Sequence, residues 1–454
     1  MDTPNWLNNA IFYHIYPLGL TGAPSWNDPS LEKMDRLDTL IPWLDHIQSL
    51  GCSAIYLGPV FQSTKHGYDT IDYYQVDRRL GDNDTLTRFA DSVHNKGMHL
   101  ILDGVFNHVG RDFWAFKDVQ TYGEKSAYRD WFSNLRFGSR SDHGDPFQYE
   151  GWHGHTSLVK LNLAHPHVRE HLLDAVGMWM DRFQIDGLRL DAADCIDKDF
   201  LQALHRFTKS RRQDFWLMGE VVHGDYRDWV NPDTLDSVTN YELYKGLYAS
   251  LKDKNYFEIA HGLQRQFTEN GLYRELQLYN FVDNHDVDRV ASKLGDPAWL
   301  YPLYILLFTM PGIPSIYYGS EWGITGVKEA WSDAQLRPAL AFDQNSQRGP
   351  QKDLVDHIRK LSDIRKTEPA LQSGRYQSLA IDHQQFAFLR QSGDERIIVI
   401  LNSAAQADDL QLDLPMMNGS LVDLLNQTQT FDLHKGRVDL PIPPKWGRIL
   451  KWIQ

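Results

Sequence analysis

The stretch "GLRLDAAD" (187–194) sets an arginine and an aspartate into a short apolar strand. Strand side chains alternate between faces, so Arg189 and Asp191 share one face while Leu188 and Leu190 take the other. Opposite charges on the buried side of a strand are costly unless they pair or do chemistry. One reading is a structural ion pair, and the other is a carboxylate held ready by its arginine. The choice depends on what surrounds the end of this strand.

Outward from it, short apolar strands alternate with longer helical patterns. The strands are "AIFYHIYPL" (10–18), "AIYLGPV" (54–60), "HLILDGV" (99–105), "GLRLD" (187–191), "FWLMGEV" (215–221), "SVTNYEL" (237–243), "LQLYNFVDN" (276–284) and "PSIYYG" (314–319). Helical stretches such as 37–51, 168–184 and 256–267 lie between them. Eight strands with intervening helices predict an α/β fold, a (β/α)8 TIM barrel whose site lies at the C-terminal ends of its strands. One connection, residues 110–164, is too long for a plain loop and reads as a small inserted domain overhanging the site. After the helix at 352–371 the pattern turns to five alternating strands, "FAFLRQ", "RIIVILNS", "LQLDL", "SLVDLLN" and "GRILKWI", an antiparallel β-sandwich domain over 374–454. The barrel then comprises 1–109 and 165–373.

Composition narrows the function. Forty-six basic against 60 acidic residues give a net charge of −14, which argues against nucleic acid or an anionic membrane as partner. Fourteen Trp, 21 Tyr and 21 Phe suit the apolar faces of sugars, although they also fill cores. Cys52 and Cys195 form no metal or redox spacing. The first residues, acidic at Asp2, show no basic leader region, so a cytoplasmic protein is expected. The apolar run at 300–319 is broken by Pro302, Pro311 and Pro314 and reads as a buried helix entering a strand.

The barrel reading sorts the polar groups by strand end. Strand three ends in Asp103, Asn107 and His108, and strand four in Arg189 and Asp191. Strand five ends in Glu220, and strand seven in Asp283, Asn284, His285 and Asp286. Only the mouth of the barrel brings such residues together. Three carboxylates there match retaining glycoside hydrolysis. Asp191 fits the nucleophile, with Arg189 to hold it ionised. Glu220 follows "FWLM", an apolar wall that keeps a proton ready for the leaving oxygen. Asp286 would stabilise the cationic ring, with His108 and His285 donating to hydroxyls.

At this point the chain resembles the α-amylase family of glycoside hydrolases (family 13). The landmarks are "DGVFNH" (103–108), "GLRLDAAD", "GEVVH" (219–223), "FVDNHD" (281–286), "HGYDTIDYY" (66–74) and "GIPSIYYGSEWG" (312–323). The resemblance implies Asp191 as nucleophile, Glu220 as acid/base and Asp286 as stabiliser. It implies Tyr68 as an aromatic platform, with Asp103, His108, Arg189, His285 and Arg289 binding an α-glucan oligosaccharide. "GEKSAYRDWF" (123–132), "YEGWHGHTSLVKLNLAHP" (149–166) and "DSVTNYELYKGL" (236–247) look most like the cyclomaltodextrinase, neopullulanase and maltogenic amylase group. That group acts on cyclodextrins, pullulan and short maltodextrins.

The sequence departs from the group in several places. Strand one begins near residue 10, leaving no room for the group's N-terminal dimer-building domain, so the oligomeric state stays open. Val222 stands where an aromatic is common, and Lys65 where exo-acting relatives tend to carry aspartate. "LVKLN" (158–162) replaces the usual "MPKLN". Asn107 could contribute to the family's calcium site, but "AADC" (192–195) replaces the frequent "AAKH", so no obligatory metal or cofactor is expected. The alternatives are an α-glucan transglycosylase using the same residues, a non-catalytic carbohydrate-binding protein, and a metal-dependent hydrolase built on His108, Asp103, His285 and Asp286. The last is disfavoured because strand one offers only His14 where such barrels place two histidines.

Overall fold

The computed structural model describes residues 4–342, 350–427 and 429–454. Asp2, used in the leader reading, lies outside them. Eight parallel strands form the predicted barrel: Phe12–Ile15, Ala54–Leu57, His99–Gly104, Gly187–Leu190, Trp216–Gly219, Ser237–Val238, Tyr279–Phe281 and Ile313–Tyr317. Taken as strands one to eight, they run six, five, four, three, two, one, eight, seven around the sheet. A bridge between Thr239 and Tyr279 closes six onto seven. At this seam Asn240 donates to Gln266 Oε1 at 3.0 Å and to Asn280 Oδ1 at 2.9 Å, so side-chain amides carry hydrogen bonding where the backbone ladder is short.

"SVTNYEL" is therefore mostly not strand. Asn240 accepts from Leu243 N at 3.4 Å and caps the helix Tyr241–Lys252, which takes over three residues read from sequence as strand. "GLRLD" behaves as expected. Leu188 and Leu190 join the core beneath the helices, while Arg189 faces the barrel interior opposite Asp103 and Met218. Gly187 leaves room for strand five: a Cβ there would stand 2.5 Å from the Trp216 carbonyl oxygen.

The insert after strand three is ordered around a helix, Trp114–Tyr122, and a sheet of His108–Gly110, His155–Lys160 and Gly151–Trp152. The sheet begins two residues before the expected boundary, because His108 pairs with Lys160. The C-terminal unit has eight strands where sequence pattern showed five, all antiparallel in sequence of pairing. Among those missed are Thr430–His434 and Arg437–Ile442, joined through Lys435 and Gly436 at φ 52° and 81°, the geometry of a tight hairpin turn.

Two buried arginines meet the end of the helix Leu300–Thr309, and the second of them, Arg390, ties this unit to the barrel. Arg365, on the helix Leu354–Thr367, donates to Phe308 O at 2.9 Å and Gly312 O at 2.6 Å. Arg390, in the strand Gln385–Ser392, donates to Thr309 O at 2.5 Å and Gly374 O at 3.0 Å. Both complete carbonyls at the C-terminal end of the helix Leu300–Thr309, which its own backbone leaves unpaired. Among the described residues, no helix is long and apolar enough to cross a membrane.

Arg390→Ala should cost about 2 kcal/mol or more, since it strands two buried carbonyls, and should lower the melting temperature by several degrees. Thermal unfolding checks this; a variant that melts with the unaltered protein would show that the contact does not hold the two units together.

Candidate active site

Barrel strands three, four and five end side by side, and their polar residues converge on one guanidinium. Arg189 Nη1 donates to Asp103 Oδ1 at 2.9 Å and to Asp191 Oδ1 at 3.0 Å, and Nη2 lies 2.7 Å from Glu220 Oε2. Burial opposes the arginine's charge, yet Asp103 and Glu220 around it hold it firmly protonated. One cation thus serves three carboxylates from three strands.

That sharing revises the expectation that Arg189 holds Asp191 ionised. Burial raises the Asp191 carboxyl well above the usual range; Arg189 opposes the rise, while Glu220, Asp103 and Asp286 add to it. After Asp191 the chain turns through Ala192 in the left-handed region at φ 45°, and the Ala192 N–H donates to Glu220 Oε2 at 3.3 Å. The apolar wall expected behind Glu220 is also revised. Its carboxylate meets Arg189, the Ala192 N–H and the Tyr241 hydroxyl, which donates to Oε1 at 3.2 Å. Tyr241 escaped the sequence reading because its segment was taken as strand.

Asp286 stands across the mouth. Its side chain is 35% exposed, against 12% for Asp191 and 14% for Glu220, so the three line an opening instead of a sealed core. Burial pushes its carboxyl up, but His285 Nε2 at 3.0 Å and Arg337 Nη2 at 2.9 Å hold it well below the usual range. His285 Nε2 also lies 2.6 Å from the Tyr68 hydroxyl, which donates to Asp103 Oδ2 at 3.0 Å. With the proton on Nε2, His285 donates to Asp286 and Tyr68 while Tyr68 donates onward. The Tyr68 ring stacks on His285 at 5.3 Å with planes 12° apart. Tyr56 donates to the same Asp103 oxygen at 2.7 Å.

His108 is buried and held neutral, its pKa pushed down to about 3 by burial and by the charge of His66. Its Nδ1 sits 3.1 Å from Asn107 Nδ2, which leaves the proton on Nε2, 3.8 Å from Asp191 Oδ2. Of the residues expected here, Arg289 is placed elsewhere. It is fully buried, donates to Tyr318 O at 2.7 Å and Leu336 O at 2.8 Å, and lies over the Tyr317 ring. A helix starts at Val290, so the chain has already turned into the barrel wall. Arg337, from the loop after strand eight, takes the place at Asp286, and no motif in the sequence marks it. Asp283 likewise serves the wall, accepting from Val290 N at 2.9 Å and Ser320 Oγ at 2.8 Å.

The candidate calcium residue Asn107 has a buried Oδ1 without a hydrogen-bond partner, but among the described residues no three His, Cys, Asp or Glu side chains gather as metal ligands. Asp103, His285 and Asp286 are engaged by Arg189, Arg337 and two tyrosines, and His108 lies against Asn107 and Asp191.

A family profile described as the α-amylase catalytic domain matches residues 23–361, and one described as the maltogenic amylase C-terminal domain matches residues 376–446. A cyclomaltodextrinase from Geobacillus thermopakistaniensis is 31% identical across 99% of this chain and 78% of its own length. Neopullulanase 2 from Thermoactinomyces vulgaris is 31% identical with the same coverage of both chains, 99% and 78%. The solved structure of a cyclomaltodextrinase superposes with a TM-score of 0.86 at 30% identity, over 99% of this chain and 79% of that one. With its parallel barrel, inserted domain and C-terminal sandwich, the chain belongs to the α-amylase family of glycoside hydrolases.

Proposed function

We propose that this enzyme hydrolyses α-glucosidic bonds in maltodextrins, cyclodextrins or related α-gluco-oligosaccharides with retention of configuration. The observation that carries this reading is the single guanidinium of Arg189 bridging Asp103, Asp191 and Glu220, with Asp286 facing them. Glu220 gives its proton to the glycosidic oxygen as Asp191 attacks the anomeric carbon, and the C–O bond to the leaving sugar breaks. Glu220, now a carboxylate, takes a proton from water, whose oxygen displaces Asp191 and restores both groups. Asp286, kept ionised by His285 and Arg337, faces the positive charge that grows on the ring. Tyr68 stacks beneath that ring, and Asp103, His108 and His285 bind its hydroxyls.

Several observations support the finer points. Val222, 38% exposed two residues past Glu220, offers an incoming sugar no ring to stack on, which favours water as the acceptor. The names of the relatives support cyclodextrins and pullulan-like glucans as substrates. Free cysteines at Cys52 and Cys195 fit a reducing cytoplasm. The division into a barrel (1–109 and 165–373), an insert (110–164) and a C-terminal unit (374–454) belongs to the same reading.

Asp191→Ala and Glu220→Gln should each lower kcat by about four orders of magnitude on maltotriose and β-cyclodextrin, with little change in melting temperature. Near-native turnover by either variant would sink the assignment.

Arg337→Met removes a cation from Asp286, so its pKa rises. Between the old and new values the variant is protonated where the unaltered enzyme is ionised. The acidic limb of kcat/KM should therefore move to higher pH, which a pH–rate profile on maltotriose measures. A limb that stays in place while only thermal stability falls would make Arg337 a structural residue.

A further inference from the structure

Two aromatic rings stand where the barrel meets the C-terminal sandwich. Tyr301 lies in the first turn of the helix Leu300–Thr309, and Trp446 opens the last strand, Trp446–Ile453. Their centroids are 5.4 Å apart with planes tilted by 35°, and both rings are half-buried. Buried His357 packs against each of them, at 5.2 and 5.0 Å. Asn426 accepts from the Trp446 indole N–H at 2.7 Å, so that ring is fixed. The pair borders a groove of about 920 Å³ whose lining also carries Asp353, Asp356, Gln429, Lys360 and Lys445.

The groove's chemistry is specific. Pyranose rings present apolar C–H faces that stack on aromatics, and their hydroxyls pair with carboxylates and amides at the rim. A purely apolar ligand would desolvate those polar groups without adding a partner to them. Rings tilted against each other follow a chain that turns at each linkage, as an α-linked glucan does, whereas a flat chain needs coplanar rings. Position matters as well. The helices Leu300–Thr309 and Leu354–Thr367 begin at the end of the barrel where the strands finish, so Tyr301 and Asp356 in their first turns lie toward the catalytic end of the barrel.

We infer that this groove is a second carbohydrate site, one that holds a length of α-glucan beside the catalytic mouth. It rests on the α-glucan reading of that mouth. Calorimetric titration of the Glu220→Gln protein with β-cyclodextrin should reveal two sites, and Trp446→Ala in that background should leave one. In native gels containing amylopectin, Trp446→Ala and Tyr301→Ala should each weaken retention about tenfold, the loss of one stacked ring, while Trp446→Phe keeps most of it. In the otherwise unaltered enzyme, Trp446→Ala should lower kcat/KM on soluble starch and leave maltotriose untouched. A single saturable site in the Glu220→Gln protein, or parental retention in both alanine variants, overturns the inference. Failure of the underlying activity looks different: the unaltered enzyme would then turn over neither maltotriose nor β-cyclodextrin, whereas failure of the groove alone leaves that turnover intact.

Discussion

The structure is organised around the guanidinium of Arg189, inside a barrel and surrounded by acid. A buried arginine must be paired, and here its partners come from the ends of strands three, four and five. The pairing fixes the relative height of those strands, because Asp103 and Arg189 are also register partners in the sheet. It fixes the orientation of the reacting groups too, since Asp191 and Glu220 each spend an oxygen on the same planar fork. The charge that makes the interior tolerable is the one that positions the chemistry.

The surroundings leave a surplus of negative charge. Four carboxylates (Asp103, Asp191, Glu220 and Asp286) face two guanidiniums, Arg189 and Arg337. In water such a surplus would be screened; in a cleft walled by tyrosines and histidines it persists. A site of this kind suits a reaction whose transition state is cationic.

Much of this was legible in the chain. Parallel barrel strands are buried on both faces, so they appear as unbroken apolar runs, and the polar residue that ends each run announces itself. Asp103, Arg189, Asp191, Glu220, His285 and Asp286 were all found that way. Legibility failed where local order did not decide position. Arg289 lies three residues past Asp286 in sequence, yet the turn into a helix carries it into the wall. Arg337 comes from a loop with no period, and only tertiary structure brings it to Asp286. The strand reading of "SVTNYEL" missed an Asn cap, and with it Tyr241. In the C-terminal sandwich, strands such as Arg437–Ile442 bury every second residue only, and their alternating, half-polar pattern is weaker than a continuous run.

The arginines at the end of the helix Leu300–Thr309 bear on how the chain is made. All eight barrel strands have left the ribosome once Tyr317 has, but the carbonyls of Phe308 and Thr309 find their partners only when Arg365 and Arg390 follow. The last of these belongs to the second strand of the sandwich. Synthesis from the N-terminus therefore delivers a barrel with one helix end still open to water, and the closing donor arrives with the domain that comes after it.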